Sequence, residues 1–175
     1  TSPCVQPNFV DSDDPSFTHN LWISMKLSPL FAIGHFIITV LFAVFARLQL
    51  NDIDPAVYHK PSSLDAMLWF SFYLLIAALF VVSVFRKVPP SILFVSLVAC
   101  VTELIMPGPG FIENLFGDDD FSMTQVSMSA EDPRVELTRE FAGALIAFSG
   151  VLYLLLMQRK IEKARGQLPR ASREG

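Results

Sequence analysis

Phe42-Ala43-Val44-Phe45-Ala46-Arg47-Leu48-Gln49-Leu50-Asn51-Asp52-Ile53-Asp54-Pro55 is the stretch in which an apolar run turns abruptly into amides and carboxylates. Upstream of this change no charged residue occurs from Leu27 to Ala46. At 1.5 Å per helical residue the run is about 30 Å long, the thickness of the hydrocarbon core of a bilayer. Ser28-Pro29 offers an N-cap followed by proline at the first helical position, where the missing N–H costs nothing. The reading is a transmembrane helix over 28–48 that ends in a polar corner.

Composition agrees with lipid as the solvent. The 175 residues are 52% hydrophobic and only 17% charged, with a mean hydropathy of +0.46, too apolar for an ordinary soluble domain. The net charge is −4, and no basic stripe of the kind nucleic acid requires is present. Cys4 lies in a polar leader and Cys100 in an apolar run, so they are not expected to pair, and no further Cys or His stands at metal-ligand spacing. The chain begins at Thr1, for which removal of an initiator methionine or of a longer targeting segment is expected.

Working outward, residues 1–26 form an arm with Pro3, Pro7, Pro15 and the acidic group Asp11, Asp13 and Asp14, too polar to fold alone. Its Phe17, Leu21, Trp22 and Met25 suit either a short interfacial helix or a disordered leader with an aromatic anchor. A transmembrane domain is expected over 27–160, with further spans over 67–85, 91–106 and 140–158. Trp69, Phe70, Phe72 and Tyr73 near the start of the second span suit the membrane interface. Arg86-Lys87 and the turn Val88-Pro89-Pro90 lead to the third span, which Pro107-Gly108-Pro109-Gly110 is expected to end. The long connection that follows carries Asp118, Asp119 and Asp120, and its Phe111, Ile112, Leu115 and Phe116 suit the membrane surface or a partner. Asp132-Pro133 is a second N-cap and N1 pair. A basic tail occupies 161–175. The fold class is therefore all-α, an integral membrane four-helix bundle.

Four spans put both termini and the turn between the second and third spans on one side. That side holds Lys26, Arg86, Lys87, Arg159, Lys160, Lys163, Arg165, Arg170 and Arg173, against Arg47, Lys60, Arg134 and Arg139 on the other. The positive-inside rule then places both termini in the cytoplasm, matrix or stroma, in a bacterial inner membrane or a mitochondrial inner or thylakoid membrane.

This topology delivers Arg47, Gln49, Asn51, Asp52, Asp54, Glu103, Arg139 and Glu140 to one outer level. Glu103 is expected to pair with Arg47 or Arg139, because a carboxylate at that depth is costly alone. The cluster reads either as a site for a small ligand, an ion or a proton, or as a polar cap that fixes helix register. Asp52 and Asp54 suit an Asx-type turn at least as well as a metal site. His35, inside a span, reads either as a contact for a pigment or quinone, or as a donor to a backbone carbonyl. Nucleophile, phosphate-loop and metalloprotease motifs are absent. Ser71, Ser83, Ser91, Ser96, Gly143 and Gly150 read as close-packing positions.

The string FAVFARLQLNDIDP over Phe42–Pro55 resembles the hallmark of transmembrane protein family 220, small four-span membrane proteins alike around Gln-x-Asn-Asp-Pro-Asp after the first helix. Arg139-Glu140-Phe141-Ala142-Gly143-Ala144-Leu145-Ile146 is similar to the acidic-Gly-Leu opening of that family's last helix. The resemblance covers roughly Phe36 to Met157, departing from the pattern at Ile53, the long connection and the arm. It implies a four-span fold and little about mechanism.

The expected function is non-catalytic: an accessory subunit that stabilises or assembles a larger respiratory or photosynthetic membrane complex. Its partners would be other integral membrane subunits and lipid, with no nucleic acid. It would have no cofactor of its own beyond lipid, quinone or pigment at an interface. The alternative is a small transporter or ligand-binding membrane protein using the outer polar cluster. An enzyme acting on a lipid or quinone is a third reading.

Overall fold

The computed structural model describes residues 29–50, 58, 59 and 61–166, all of their regular structure helical. The amino-terminal arm, Asn51, Asp52, Asp54 and the chain beyond 166 lie outside the described residues. Five α-helices follow in order: α1 (Pro29–Gln49), α2 (Ser63–Phe85), α3 (Pro90–Ile105), α4 (Gly108–Phe116) and α5 (Arg134–Gly166), with a 3₁₀ turn at Gln125–Ser127.

Local chemistry sets the ends. Ser62 caps α2 by accepting from the Asp65 N–H at 3.5 Å, and Asp65 complements the helix dipole from the first turn. That is why α2 starts four residues before the expected Met67. At α5 the Asp132 carboxylate accepts from the Arg134 N–H at 3.2 Å, and the helix begins well ahead of the expected 140. At its other end α5 runs to Gly166 and buries Ile161, so the first residues assigned to the basic tail are helix.

α1, α2 and α5 are each long and apolar enough to cross a membrane. α3 matches its expected range of 91–106 to within a residue at each end. Its 16 residues rise about 24 Å, short of a bilayer core. Pro107-Gly108-Pro109-Gly110 ends α3 as expected and, after a 46° bend, also opens α4, which was not expected. Proline breaks a helix interior yet suits the first turn of a new one, where no N–H is needed. Together α3 and α4 have the shape of a broken span or a re-entrant loop, so the described residues offer three crossings, or four if the bent pair counts as one.

Two antiparallel pairs, α1 with α2 and α3 with α5, make the bundle. In lipid, apolar surface alone does not drive helices together, and close approach at small residues does. A Cβ at Gly143 would overlap the Tyr73 hydroxyl, and one at Gly150 would stand 3.2 Å from the Phe80 ring. These two glycines therefore receive the two α2 aromatics and join the pairs. Ser83 and Ser96 are buried, whereas Ser71 and Ser91 are exposed and do not pack. Phe42, Ile76, Phe80, Leu93 and Leu154 complete the core. Trp69, Phe72 and Tyr73 also belong to it. They stack on one another and on α1, through Trp69 to Phe72 at 5.8 Å and Phe42 to Tyr73 at 6.1 Å. The outer faces expose Leu30, Phe36, Phe85, Phe94 and Ile105, a belt suited to lipid and costly in water.

The two ends of the bundle differ. At the turn end, Lys87 pairs with Glu162. The buried Gln158 turns its amide nitrogen to the Val88 carbonyl at 2.9 Å and its oxygen to the Val88 N–H at 3.1 Å. This satisfies a backbone that the following prolines cannot help. At the loop end, α4 packs on α5: Phe111 stacks on Phe141 with centroids 4.4 Å apart and planes 6° apart. Asn114, 1% exposed, donates to the Ser122 carbonyl at 2.7 Å and to Thr138 Oγ1 at 2.8 Å, and accepts from the Ser122 N–H at 3.2 Å. Of the four residues expected at the membrane surface or a partner, Phe111 is thus spent inside the chain, while Ile112, Leu115 and Phe116 face outward.

Candidate functional site

The loop end contains a cavity of about 430 Å³, within the size range of small-molecule sites. Its floor comes from three helices: Phe45 and Leu48 of α1, Tyr73 of α2, and Ala142, Gly143 and Ile146 of α5. Gly143 makes the floor possible, because only a residue without Cβ leaves room for the Tyr73 hydroxyl against α5. The rim is polar and carries both signs of charge, with Gln49, Tyr58, Glu136, Arg139 and Glu140, while Met123 and Met128 cover it from the long connection.

The cover is tied down from both sides. The His59 N–H donates to Glu136 Oε2 at 2.8 Å, and His59 Nδ1 donates to the Ala130 carbonyl at 2.8 Å. These bonds join the connection ahead of α2 to the one ahead of α5. Arg139 Nη1 donates to Met128 Sδ at 2.7 Å. Below the cover, Arg134 bonds Asp132 through Nε at 2.7 Å and reaches Asp119 at 3.5 Å. The guanidinium holds the Asp132 carboxyl below the usual carboxylate range by hydrogen bonding to its charged form.

α1 and α5 do not pack closely along their lengths, and Leu48 and Ile146 both line the cavity and are exposed on the flank, at 46% and 43%. The result is a slot between α1 and α5 with an apolar floor and a charged rim.

Of the residues singled out in the sequence, the cavity gathers Gln49, Arg139 and Glu140. Arg47 is exposed outside it. Among the described residues the ion pairs are those of Lys87 with Glu162 and of Arg134 with Asp119 and Asp132, so the expected pairing of Glu103 with Arg47 or Arg139 is not made. The reason is placement: Arg139 points into the cavity, whereas Glu103 lies within reach of the charge of Asp65. His35 is buried at 2%, with Nδ1 donating to the Phe31 carbonyl of its own helix at 2.9 Å. Its ring lies among Phe31, Phe80 and Tyr153. It faces the bundle interior. No group of His, Cys, Asp and Glu among the described residues is placed to hold a metal.

Sequence reasoning missed Tyr58, Glu136, Tyr73, Met123 and Met128 as site residues. The spacing of Gly143 and Gly150, matched to Tyr73 and Phe80 seven apart on α2, carries a signal for the floor. Nothing in the sequence marks the cover, whose contacts span more than 70 residues.

An all-helical chain with these spans is an integral membrane protein of the helical-bundle class. The sequence profile described as Transmembrane family 220, helix, matches residues 41–157, more than half of the 175-residue chain. The chain belongs to that family. No curated protein and no solved structure matches it.

Proposed function

We propose that this is a ligand-binding membrane protein that takes an amphiphilic small molecule from the bilayer into the loop-end cavity. The observation that carries the reading is the slot between α1 and α5, with an apolar floor whose Leu48 and Ile146 are exposed and a charged rim. Pockets with a mostly apolar lining and a few convergent polar groups are the usual form of small-molecule sites. The charge distribution along the sequence supports an orientation with the turn end on the cytoplasmic, matrix or stromal side and the cavity on the opposite face.

Native mass spectrometry of the full chain, purified in a mild detergent, tests this. Wild type is expected to retain one amphiphile, and Ile146→Trp, which fills the slot from its exposed flank, to lose it. Equal retention by both overturns the reading.

A second reading is an accessory subunit of a larger membrane complex, favoured by the outward apolar face of α4 at Ile112, Leu115 and Phe116. Native gel electrophoresis separates the two. Co-migration with a large complex that Phe116→Ser abolishes supports the subunit reading, and a small ligand-loaded species supports the cavity reading.

A further inference from the structure

The rim of the cavity contains one cation whose bonding stands out. Among the described residues, the Arg139 guanidinium makes a single hydrogen bond, to the Met128 thioether, and no ion pair. Arginine carries five N–H donors in a planar fork that fits phosphate and carboxylate oxygens, and a thioether is a weak acceptor. A partly buried arginine lining a cavity in this state is arranged for an anion. Beside it stand carboxylates on the same helix: Glu140 is its neighbour, and Glu136 is one turn away and also lines the cavity. Phe45, Tyr58 and Tyr73 add aromatic surface, which together with carboxylates suits a cationic ammonium group. The rim therefore presents a positive and a negative contact side by side, above an apolar floor.

We infer that the cavity holds a zwitterionic phospholipid, its phosphate on Arg139, its ammonium group towards Glu140 and Glu136, and the start of an acyl chain over Phe45, Leu48 and Ile146. This deepens the amphiphile reading and rests on it. A singly anionic headgroup would meet Arg139 but place its remaining bulk against two carboxylates. A neutral diacylglycerol would leave the arginine without an anion. A lipid source is favoured over a soluble phosphate ester by the slot between α1 and α5, since Leu48 and Ile146 line it and are exposed on two helices apolar enough to cross a membrane.

The test uses delipidated full-length protein in detergent, with phosphatidylethanolamine, phosphatidylcholine, phosphatidylglycerol and diacylglycerol of identical chains added in turn, and bound lipid counted by native mass spectrometry. Both zwitterionic lipids are expected to bind roughly tenfold more tightly than phosphatidylglycerol, and diacylglycerol to bind least, since one charge-assisted contact is worth about a factor of ten. Arg139→Gln should bring the zwitterionic lipids down to the level of diacylglycerol, and Arg139→Lys should restore most of their binding. Glu140→Gln should erase the preference over phosphatidylglycerol. Far-ultraviolet circular dichroism of each variant establishes that it is folded. Headgroup-independent binding that Arg139→Gln leaves unchanged overturns the inference, yet leaves the amphiphile reading standing if Ile146→Trp still abolishes retention. Loss of neither kind overturns both. Binding of glycerophosphoethanolamine as tight as that of the diacyl lipid overturns the lipid source.

Discussion

Replacing Asn114 by leucine is expected to unfasten the loop end of the bundle. The side chain is 1% exposed and makes three hydrogen bonds, two with the Ser122 backbone and one to Thr138 Oγ1. Thr138, itself buried, passes its own proton to the Arg134 carbonyl at 2.7 Å. One amide thus ties α4, the long connection and the first turns of α5 together. Leucine has nearly the same volume, so no cavity term enters, and the loss is that of the hydrogen bonds. At about 0.5–1.5 kcal/mol net for each, the sum is roughly 1.5–4.5 kcal/mol. Thr138→Val, which keeps shape and breaks one of the Asn114 bonds together with the bond to the Arg134 carbonyl, is expected to cost about 1–3 kcal/mol. Reversible unfolding in mixed detergent micelles, followed by circular dichroism, measures both. If Asn114→Leu lies within about 0.5 kcal/mol of wild type, the side chain is not the fastener described here, since that is less than one net hydrogen bond.

Gly143→Val, whose Cβ meets Tyr73, is expected to destabilise the bundle by about 1–3 kcal/mol through overpacking. By contrast Gly34→Ala, with nothing within 4 Å of the new Cβ, should be neutral or stabilising by up to about 1 kcal/mol. The same unfolding assay reads the two. Gln158→Leu should cost about 1–3 kcal/mol, because it leaves both backbone groups of Val88 without their clasp, and protease cleavage near the Arg86-Lys87 turn should quicken. Asp132, with its carboxyl held low by Arg134, contributes stability that is present above the unfolded carboxylate pKa and is lost as pH falls through its folded value. Its side chain is 41% exposed, so the gap between wild type and Asp132→Asn should be at most about 1 kcal/mol at pH 7. That gap should begin to close below about pH 4, which a stability series from pH 7 to pH 3 checks.

The spans were legible in the sequence because hydrocarbon imposes a length and forbids charge, and their starts because Ser28-Pro29 and Asp132-Pro133 are local signals. α4 was not legible: Pro107-Gly108-Pro109-Gly110 terminates one helix and begins the next with the same residues. Whether the chain continues as helix depends on Phe111 finding Phe141 and Asn114 finding Thr138, contacts formed only in three dimensions. The site was legible in part. Gln49, Arg139 and Glu140 end or begin spans on the same side, and topology alone brings them to one level. Lateral position within that level was not encoded locally, so Glu103 and Arg47 share the height and not the cavity. Tyr73 reads as an interfacial aromatic from its depth, and only the pairing with Gly143 turns it into the floor.

The central claim is that the end of α1 and the start of α5 meet across one cavity at the loop end, with the α2–α3 turn at the opposite end of the bundle. Short bifunctional thiosulfonate cross-linking tests it directly, in protein whose native Cys4 and Cys100 are replaced by serine. The pair Gln49→Cys with Arg139→Cys is expected to cross-link, and filling the slot with Ile146→Trp should slow the reaction. The pair Gln49→Cys with Lys87→Cys should not cross-link within the monomer. Cross-linking of Gln49→Cys to Lys87→Cys but not to Arg139→Cys would contradict the account.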